Sequence, residues 1–149
     1  MAVLTTELVS QVTQEIWSAL LAADSDSPLL PGDTHSNEVV ARIHISGEWN
    51  GTVCLHCSNL AARHATSAMF GLPDDELTAA DVQDAVGELV NVVGGNIKGL
   101  VEGHSELSLP EVTTEAPAAC VLGHLELAQE VRFSWLAEPV VVSVWTEPS

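Results

Sequence analysis

Residues 81–101 carry the pattern that most constrains the fold of this chain. At about 100° per residue, the apolar positions of this segment gather on one side of an α-helix, so that side is predicted to be buried. The buried positions are Val82, Ala85, Val86, Leu89, Val93, Ile97 and Leu100. Thr78 and Asp81 form a capping-box pattern that predicts the start of the helix. A long amphipathic helix of this kind must pack against another element.

The opposite side of this helix forms a polar row. Its members are Asp81, Asp84, Glu88, Asn91, Gly95 and Lys98. Glu88 and Asn91 are surface neighbours in this spacing, with Asp84 one turn earlier. Glycine inside a helix costs roughly 1 kcal/mol relative to alanine, yet Gly87 and Gly94 flank the row. These glycines either leave bare backbone that another protein surface can approach or allow close packing within the chain. The polar row itself could be the solvated face of an ordinary amphipathic helix.

The rest of the chain predicts an α+β domain spanning residues 1–149. Helices are expected at residues 4–23 and 59–70, and strands at 39–45, 52–57, 107–112, 119–136 with an internal hairpin turn, and 140–146. Local hairpins predict an antiparallel or mixed β-sheet with the long helices packed on it. Strand 140–146 alternates weakly, as expected of a strand buried on both faces. The first helix is expected to bury Leu8, Val12, Ile16, Ala19 and Leu20.

A weak internal echo leaves open a duplication of two halves. Residues 12–20 can be laid over residues 85–93, which places Glu15 on Glu88 and Ser18 on Asn91. Each half would then contribute a helix followed by paired strands.

The charge balance excludes several classes of partner. Four Lys and Arg residues against 21 Asp and Glu residues give a formal charge of −17. Such a surface repels nucleic acids and anionic membranes and favours a partner that offers cations, although it can also serve solubility alone. The chain starts without a signal-peptide pattern and has no apolar run of about 18 residues, so a cytoplasmic protein is expected.

The cysteines and histidines do not predict a metal site. Cys54 and Cys57 have CxxC spacing but lie in a predicted strand, where alternation sends them to opposite faces. They are expected to be small buried side chains, and the roles of Cys54, Cys57 and Cys120 stay open. His44 and His56 could meet across adjacent strands, but no third ligand converges on them.

The long helix and the segment after it resemble a known family. Asp84-x-x-x-Glu88-x-x-Asn91 is followed by glycine-rich residues 94–99 and by Leu-Ser-Leu-Pro at residues 107–110. This combination resembles the CheC/CheX/FliY group of chemotaxis phosphatases, and its CheX-like members most. The turn at 47–52 and the helix end at 68–71 are also similar, and the resemblance runs from about residue 40 to the C-terminus.

The resemblance implies a phosphatase that acts on the phospho-aspartate of a CheY-like response regulator. Glu88 would dock by pairing with the regulator's active-site lysine, and Asn91 would position the attacking water. The partner surface would also include Asp84, Gly87, Gly94, Gly95 and Lys98. No cofactor of its own is expected, since Mg²⁺ would belong to the regulator's active site.

The resemblance also implies a homodimer that pairs through sheet edges. An exposed edge strand ending in the apolar residues 140–142 would gain from such pairing. Ser18 stands where a second active helix would carry asparagine, so a single site is expected. The alternative function is a non-catalytic module that binds a receiver domain or only dimerises.

Overall fold

The computed structural model describes residues 4–21, 29–101, 103–113 and 125–147. Its α-helices are α1 (Thr6–Leu21), α2 (Asn59–Phe70) and α3 (Ala79–Lys98), with a 3-10 turn at Asp74–Glu76. Its strands are β1 (Leu30–Pro31), β2 (Val39–Gly47), β3 (Gly51–Cys57), β4 (Ser105–Leu107), β5 (Glu111–Thr113), β6 (Glu126–Trp135) and β7 (Glu138–Thr146). None of the described helices is long and apolar enough to cross a membrane.

The strands form one antiparallel sheet in the order β1-β6-β7-β3-β2-β4, and β5 also pairs with β2. The inward side chains of β2, β3 and β7 form a continuous core with the buried faces of the helices. The predicted α+β class, with helices packed on an antiparallel sheet, is therefore confirmed.

The position of β7 corrects one sequence-based expectation. β7 lies between β6 and β3, and Val140, Val141 and Val142 have no exposed surface. Residues 140–142 therefore do not belong to an exposed edge strand, although the prediction that this strand is buried on both faces was right. A strand with two partners has no unpaired backbone groups to offer a second subunit.

The topology has an approximate twofold symmetry. Helix α1 precedes the hairpin β2–β3, helix α3 precedes the hairpin β6–β7, and the second strands of the two hairpins pair at the centre. Each helix packs on the other half's hairpin, α3 on β2 and α1 on β6. This arrangement fits the duplication that the sequence echo left open.

Side-chain caps fix the ends of two helices as predicted. The Ser58 hydroxyl accepts a hydrogen bond from the backbone N–H of Ala61 at the start of α2. At α3, the Thr78 hydroxyl accepts from the Asp81 N–H at 3.1 Å, while the Asp81 carboxylate accepts from the Thr78 N–H at 3.0 Å. This reciprocal capping box positions the first turn of the helix that carries the polar row.

Two other predictions need correction. In α1, Ala19 and Leu20 are exposed and Trp17 and Leu21 are buried instead, so the buried face is rotated from the predicted one. The predicted strand 107–112 is two short strands, β4 and β5, separated by residues 108–110. The turn between β6 and β7 lies at Leu136 and Ala137, which both have positive φ, at the boundary between the predicted strands 119–136 and 140–146. The hairpin turn predicted inside 119–136 does not occur within β6, and the part of that strand before residue 125 lies outside the described residues.

Candidate active site

The polar row of α3 is presented away from the core. Asp84 and Glu88 are exposed and Asn91 is half-buried, on the face opposite the buried Leu89 and Val93. Within the described residues, neither the Glu88 carboxylate nor the Asn91 amide forms a hydrogen bond or an ion pair. The two groups are therefore available to a ligand or a partner.

A groove of about 420 Å³ runs beside Glu88 and Asn91. Its helix wall is formed by Gln83, Asp84, Gly87, Glu88 and Asn91, and its other wall by Leu109, Pro110 and Val112. An open groove of this size can admit side chains of another protein. Four of the predicted site residues thus line one groove, namely Asp84, Gly87, Glu88 and Asn91.

The second wall of the groove is held by β2. The N–H of Ser108 donates to the carbonyl of His44 at 2.9 Å, and the N–H of His44 donates to the Ser108 hydroxyl at 2.9 Å. That hydroxyl in turn donates to the carbonyl of Leu109 at 3.1 Å. Because β4 and β5 on either side also pair with β2, the segment 108–110 is fixed relative to the sheet.

The glycines of α3 have different surroundings. At Gly87, a Cβ would meet Val112 and Pro110 at ordinary contact distances of 3.5 and 3.7 Å, so the two walls of the groove come close to each other at this position. At Gly94, a Cβ would lie only 2.6 Å from Ile43 Cγ2, inside the core. The expectation that Gly94 offers bare backbone to a partner is therefore wrong, because Gly94 allows α3 to pack closely on β2.

Gly95 and Lys98 lie farther along the helix than the groove. Both are half-buried, and neither belongs to the groove lining. A Cβ on Gly95 would have only Leu107 Cδ2 nearby, at 3.9 Å. Their assignment to the partner surface stays a prediction.

The amide and the carboxylate in the groove can act by positioning a water molecule and a partner. An asparagine amide can donate and accept hydrogen bonds without adding negative charge, so it can orient a water molecule toward an electrophile. A neighbouring carboxylate can pair with a cation that a partner supplies. Within the described residues, no three His, Cys, Asp or Glu side chains are placed to hold a metal ion.

The buried side chains of Cys54, Cys57 and His56 are not part of the lining of this groove. Cys57 faces the core and Cys54 the opposite side of the sheet, as predicted from alternation, whereas Cys120 lies outside the described residues. His44 and His56 do not meet, which corrects that expectation: His44 lies opposite Thr52 and His56 opposite Val40, at the two ends of the β2–β3 hairpin.

His56 belongs to a buried polar network instead. Its Nδ1 lies 2.9 Å from Asn37 Oδ1, and its Nε2 lies 3.1 Å from the Ser143 hydroxyl. Burial, and secondarily the neighbouring His35, lowers the pKa of His56 to about 4. This histidine is thus a neutral structural side chain near pH 7.

The groove contains residues to which the sequence interpretation assigned no site role. Leu109 and Pro110 were noted only as part of the Leu-Ser-Leu-Pro motif, and Gln83 and Val112 were not noted as site residues. Helical periodicity identifies neighbours on one helix, but it carries no information on which loop lies across from them. The available signal was the proline-containing motif itself, since proline restricts the backbone of a loop.

Comparisons with known proteins converge on one family and one fold. The family model "Chemotaxis phosphatase CheX" matches residues 39–129. No curated protein matches the chain.

Among solved structures, a chemotaxis protein CheX from Vibrio vulnificus is 17% identical with a TM-score of 0.74, and the match covers 95% of each chain. A chemotaxis protein CheX from Desulfovibrio desulfuricans is 18% identical, with a TM-score of 0.72 over 95% of this chain and 98% of that one. A chain from the CheX–CheY–BeF3–Mg²⁺ complex of Borrelia burgdorferi is 16% identical, with a TM-score of 0.77 over 95% and 97%. At these identities the structural likeness shows the fold.

Proposed function

The chain belongs to the CheX family of chemotaxis phosphatases, and on that premise we propose that it hydrolyses the phospho-aspartate of a CheY-like response regulator in the cytoplasm. One observation carries the proposal. Glu88 and Asn91, the residues that the resemblance assigns to docking and catalysis, lie together on the outer side of α3 and line one open groove.

The two residue types suit the reaction. Phosphoryl transfer depends mainly on positioning and charge neutralisation, so a catalyst needs no covalent nucleophile. Asn91 would hold a water in line with the phosphorus atom without repelling the phosphoryl oxygens. Glu88 would pair with a lysine of the regulator, which places the phosphoryl group beside the amide and offsets the repulsion between two anions.

The exposed carboxylate of Asp84 has a less specific role. It lies one turn before Glu88 on the same groove and adds negative charge at the rim. A cationic patch on the regulator would be attracted there, and this contact would contribute more to encounter than to hydrolysis. Magnesium would reside in the acidic pocket of the regulator.

A neighbour of this fold supports the choice of partner. The Borrelia burgdorferi structure is a complex of CheX with CheY, BeF3 and Mg²⁺. An occupant of the same kind suits the groove of this chain because it brings both a cation and a phosphoryl group to α3.

The runner-up is a module that binds a receiver domain without hydrolysing it, or that only dimerises. A binding module needs no water-positioning amide, so the presence of Asn91 in the groove favours the enzyme.

The homodimer is part of the proposal, but β7 is not the edge strand through which two subunits would pair. Among the described residues, the outer side of β6 is paired at Ser134 and Phe133 with β1 and at Arg132, whose carbonyl accepts from the Gly32 N–H. Residues 126–131 are therefore a candidate pairing edge. Light scattering coupled to gel filtration would measure the oligomeric state.

The activity is tested by phosphate release from a phosphorylated receiver domain. Asn91→Ala is expected to lower the stimulated rate by about 100-fold or more, because the water loses its orientation. Binding of the receiver, measured by calorimetry, should change little. Glu88→Ala is expected to weaken both binding and hydrolysis.

The chain supplies matched controls on α1. Ser18→Ala and Glu15→Ala change exposed residues at the equivalent helix spacing, and both should keep the wild-type rate. Equal rates for wild type and Asn91→Ala would remove the catalytic assignment. Tight binding by the wild type without any acceleration of hydrolysis would instead favour the binding module.

A further inference from the structure

Leu109 is the most exposed large hydrophobic side chain of the described residues. It is 86% exposed, whereas the next, Leu30, is 56% exposed. A single exposed leucine is ordinary on a protein surface. What distinguishes Leu109 is its position, because it forms one wall of the groove that contains Glu88 and Asn91.

The backbone that presents Leu109 is held on both sides. Ser108 is tied to His44 of β2 by two hydrogen bonds. Pro110 follows with a fixed φ and lies against the bare backbone of Gly87 on α3. Leu109 is therefore presented by an ordered segment, so binding of a partner to it carries no entropic cost for ordering a loop.

Because the chain is strongly negatively charged, an apolar contact in this groove can strengthen binding where further charges would not. The protein carries a formal charge of −17, and Asp84 and Glu88 add two carboxylates to the groove. A phosphorylated partner brings further negative charge, so attraction to its lysine is partly cancelled by repulsion. An apolar contact adds affinity without adding charge, and it excludes water around the ion pair.

We propose that Leu109 is an apolar anchor for the same phosphorylated receiver domain, inserting into a hollow beside the phosphorylation site. This inference rests on the proposed function. Leu109 acts as a positioning residue: it sets the affinity for the receiver, while Asn91 sets the rate of hydrolysis in the complex.

The test compares Leu109→Ala with Leu30→Ala, which removes an exposed leucine from β1 at the other edge of the sheet. Leu109→Ala is expected to raise KM for the phosphorylated receiver, and Kd for a beryllofluoride-loaded receiver, by about tenfold or more. Its kcat should stay within about twofold of wild type, and Leu109→Met should restore most of the affinity. Leu30→Ala should change neither constant.

Two further readouts separate an anchor from a structural role. Because its side chain is exposed, Leu109→Ala should unfold at the same urea concentration as wild type. Raising salt should shrink the effect of Glu88→Ala on Kd and leave that of Leu109→Ala in place. An unchanged Kd and KM for Leu109→Ala, or a loss confined to kcat, would overturn the anchor.

The outcomes for the anchor and for the proposed function are distinct. If the wild type binds the beryllofluoride-loaded receiver but does not accelerate phosphate release, the phosphatase is refuted and the Kd ratio still decides the role of Leu109. If the wild type neither binds nor hydrolyses, both proposals fail.

Discussion

Replacing Gly94 by alanine tests whether packing of α3 on the sheet requires this glycine. The added Cβ would lie 2.6 Å from Ile43 Cγ2 and 3.4 Å from Leu107 Cδ1. Ile43 is completely buried, and its β-branched side chain has few alternative rotamers. Restoring an ordinary carbon–carbon contact therefore requires a displacement of about 1 Å between α3 and β2.

The expected magnitude is the difference between two opposing effects. Overpacking of a core by one methyl group costs about 1–3 kcal/mol, while alanine gains about 1 kcal/mol over glycine in a helix interior. Gly95→Ala provides the matched control, since its Cβ would contact only Leu107 at 3.9 Å. This control should be stabilised by about 1 kcal/mol, and Gly94→Ala should be less stable than it by about 1–3 kcal/mol.

Urea unfolding followed by tryptophan fluorescence measures this difference. Trp17 and Trp135 are buried and pack edge to face with ring centroids 5.5 Å apart, so they report loss of the core. Equal m-values for both variants would show that their unfolded states are comparable. If Gly94→Ala were as stable as Gly95→Ala, close packing would not explain the glycine and the open-backbone interpretation would return.

Three other predictions concern the scaffold. Thr78→Ala should destabilise the protein to urea by about 1 kcal/mol through loss of the α3 cap, and Thr78→Ser should not. Burial, and secondarily Glu38, raises the pKa of the Cys57 thiol to about 12. In a variant with Cys54 and Cys120 replaced by serine, this thiol should therefore resist Ellman's reagent at pH 8 in the folded protein and react once urea unfolds it. Rapid reaction of the folded protein would contradict this. The pKa of His56 is about 4 in the folded protein and about 6.5 in the unfolded chain, so protonation favours unfolding. The difference in free energy of unfolding between wild type and His56→Gln, measured in urea, should therefore shrink by up to roughly 3 kcal/mol from pH 7 to pH 4. A difference that does not change with pH would refute this prediction.

The sequence predicted the elements that depend on local rules. The boundaries of α2 match the predicted residues 59–70, because a serine cap and a following glycine mark its ends. The start of α3 follows from the capping box, and the outward position of Glu88 and Asn91 follows from the 3.6-residue period. These features need only contacts between residues close in sequence.

The features that were missed depend on contacts between distant residues. Gly94 faces inward because Ile43 of another element lies against it, and helical spacing alone cannot distinguish that from an open surface. The groove wall at 108–110 is set by pairing of β4 and β5 with β2, which is a property of the assembled sheet.

The approximate symmetry of the fold allows the surfaces of α1 and α3 to be compared. A second groove lies on α1, lined by Thr6, Glu7, Ser10, Gln11, Gln14, Glu15 and Val131. Under the sequence echo, Gln14 takes the place of Gly87 and Ser18 that of Asn91.

Four polar side chains of the α1 groove form hydrogen bonds with one another. The Gln14 amide donates to the Ser10 hydroxyl at 2.9 Å, and the Gln11 amide donates to the Glu15 carboxylate at 3.3 Å. The double variant Gln14→Gly, Ser18→Asn should therefore not create a second active site, because the α1 groove has no described counterpart of Leu109 and Pro110. The test places this double change in the Asn91→Ala background and measures phosphate release. Restored hydrolysis would show that a carboxylate and an amide on a helix suffice without the loop.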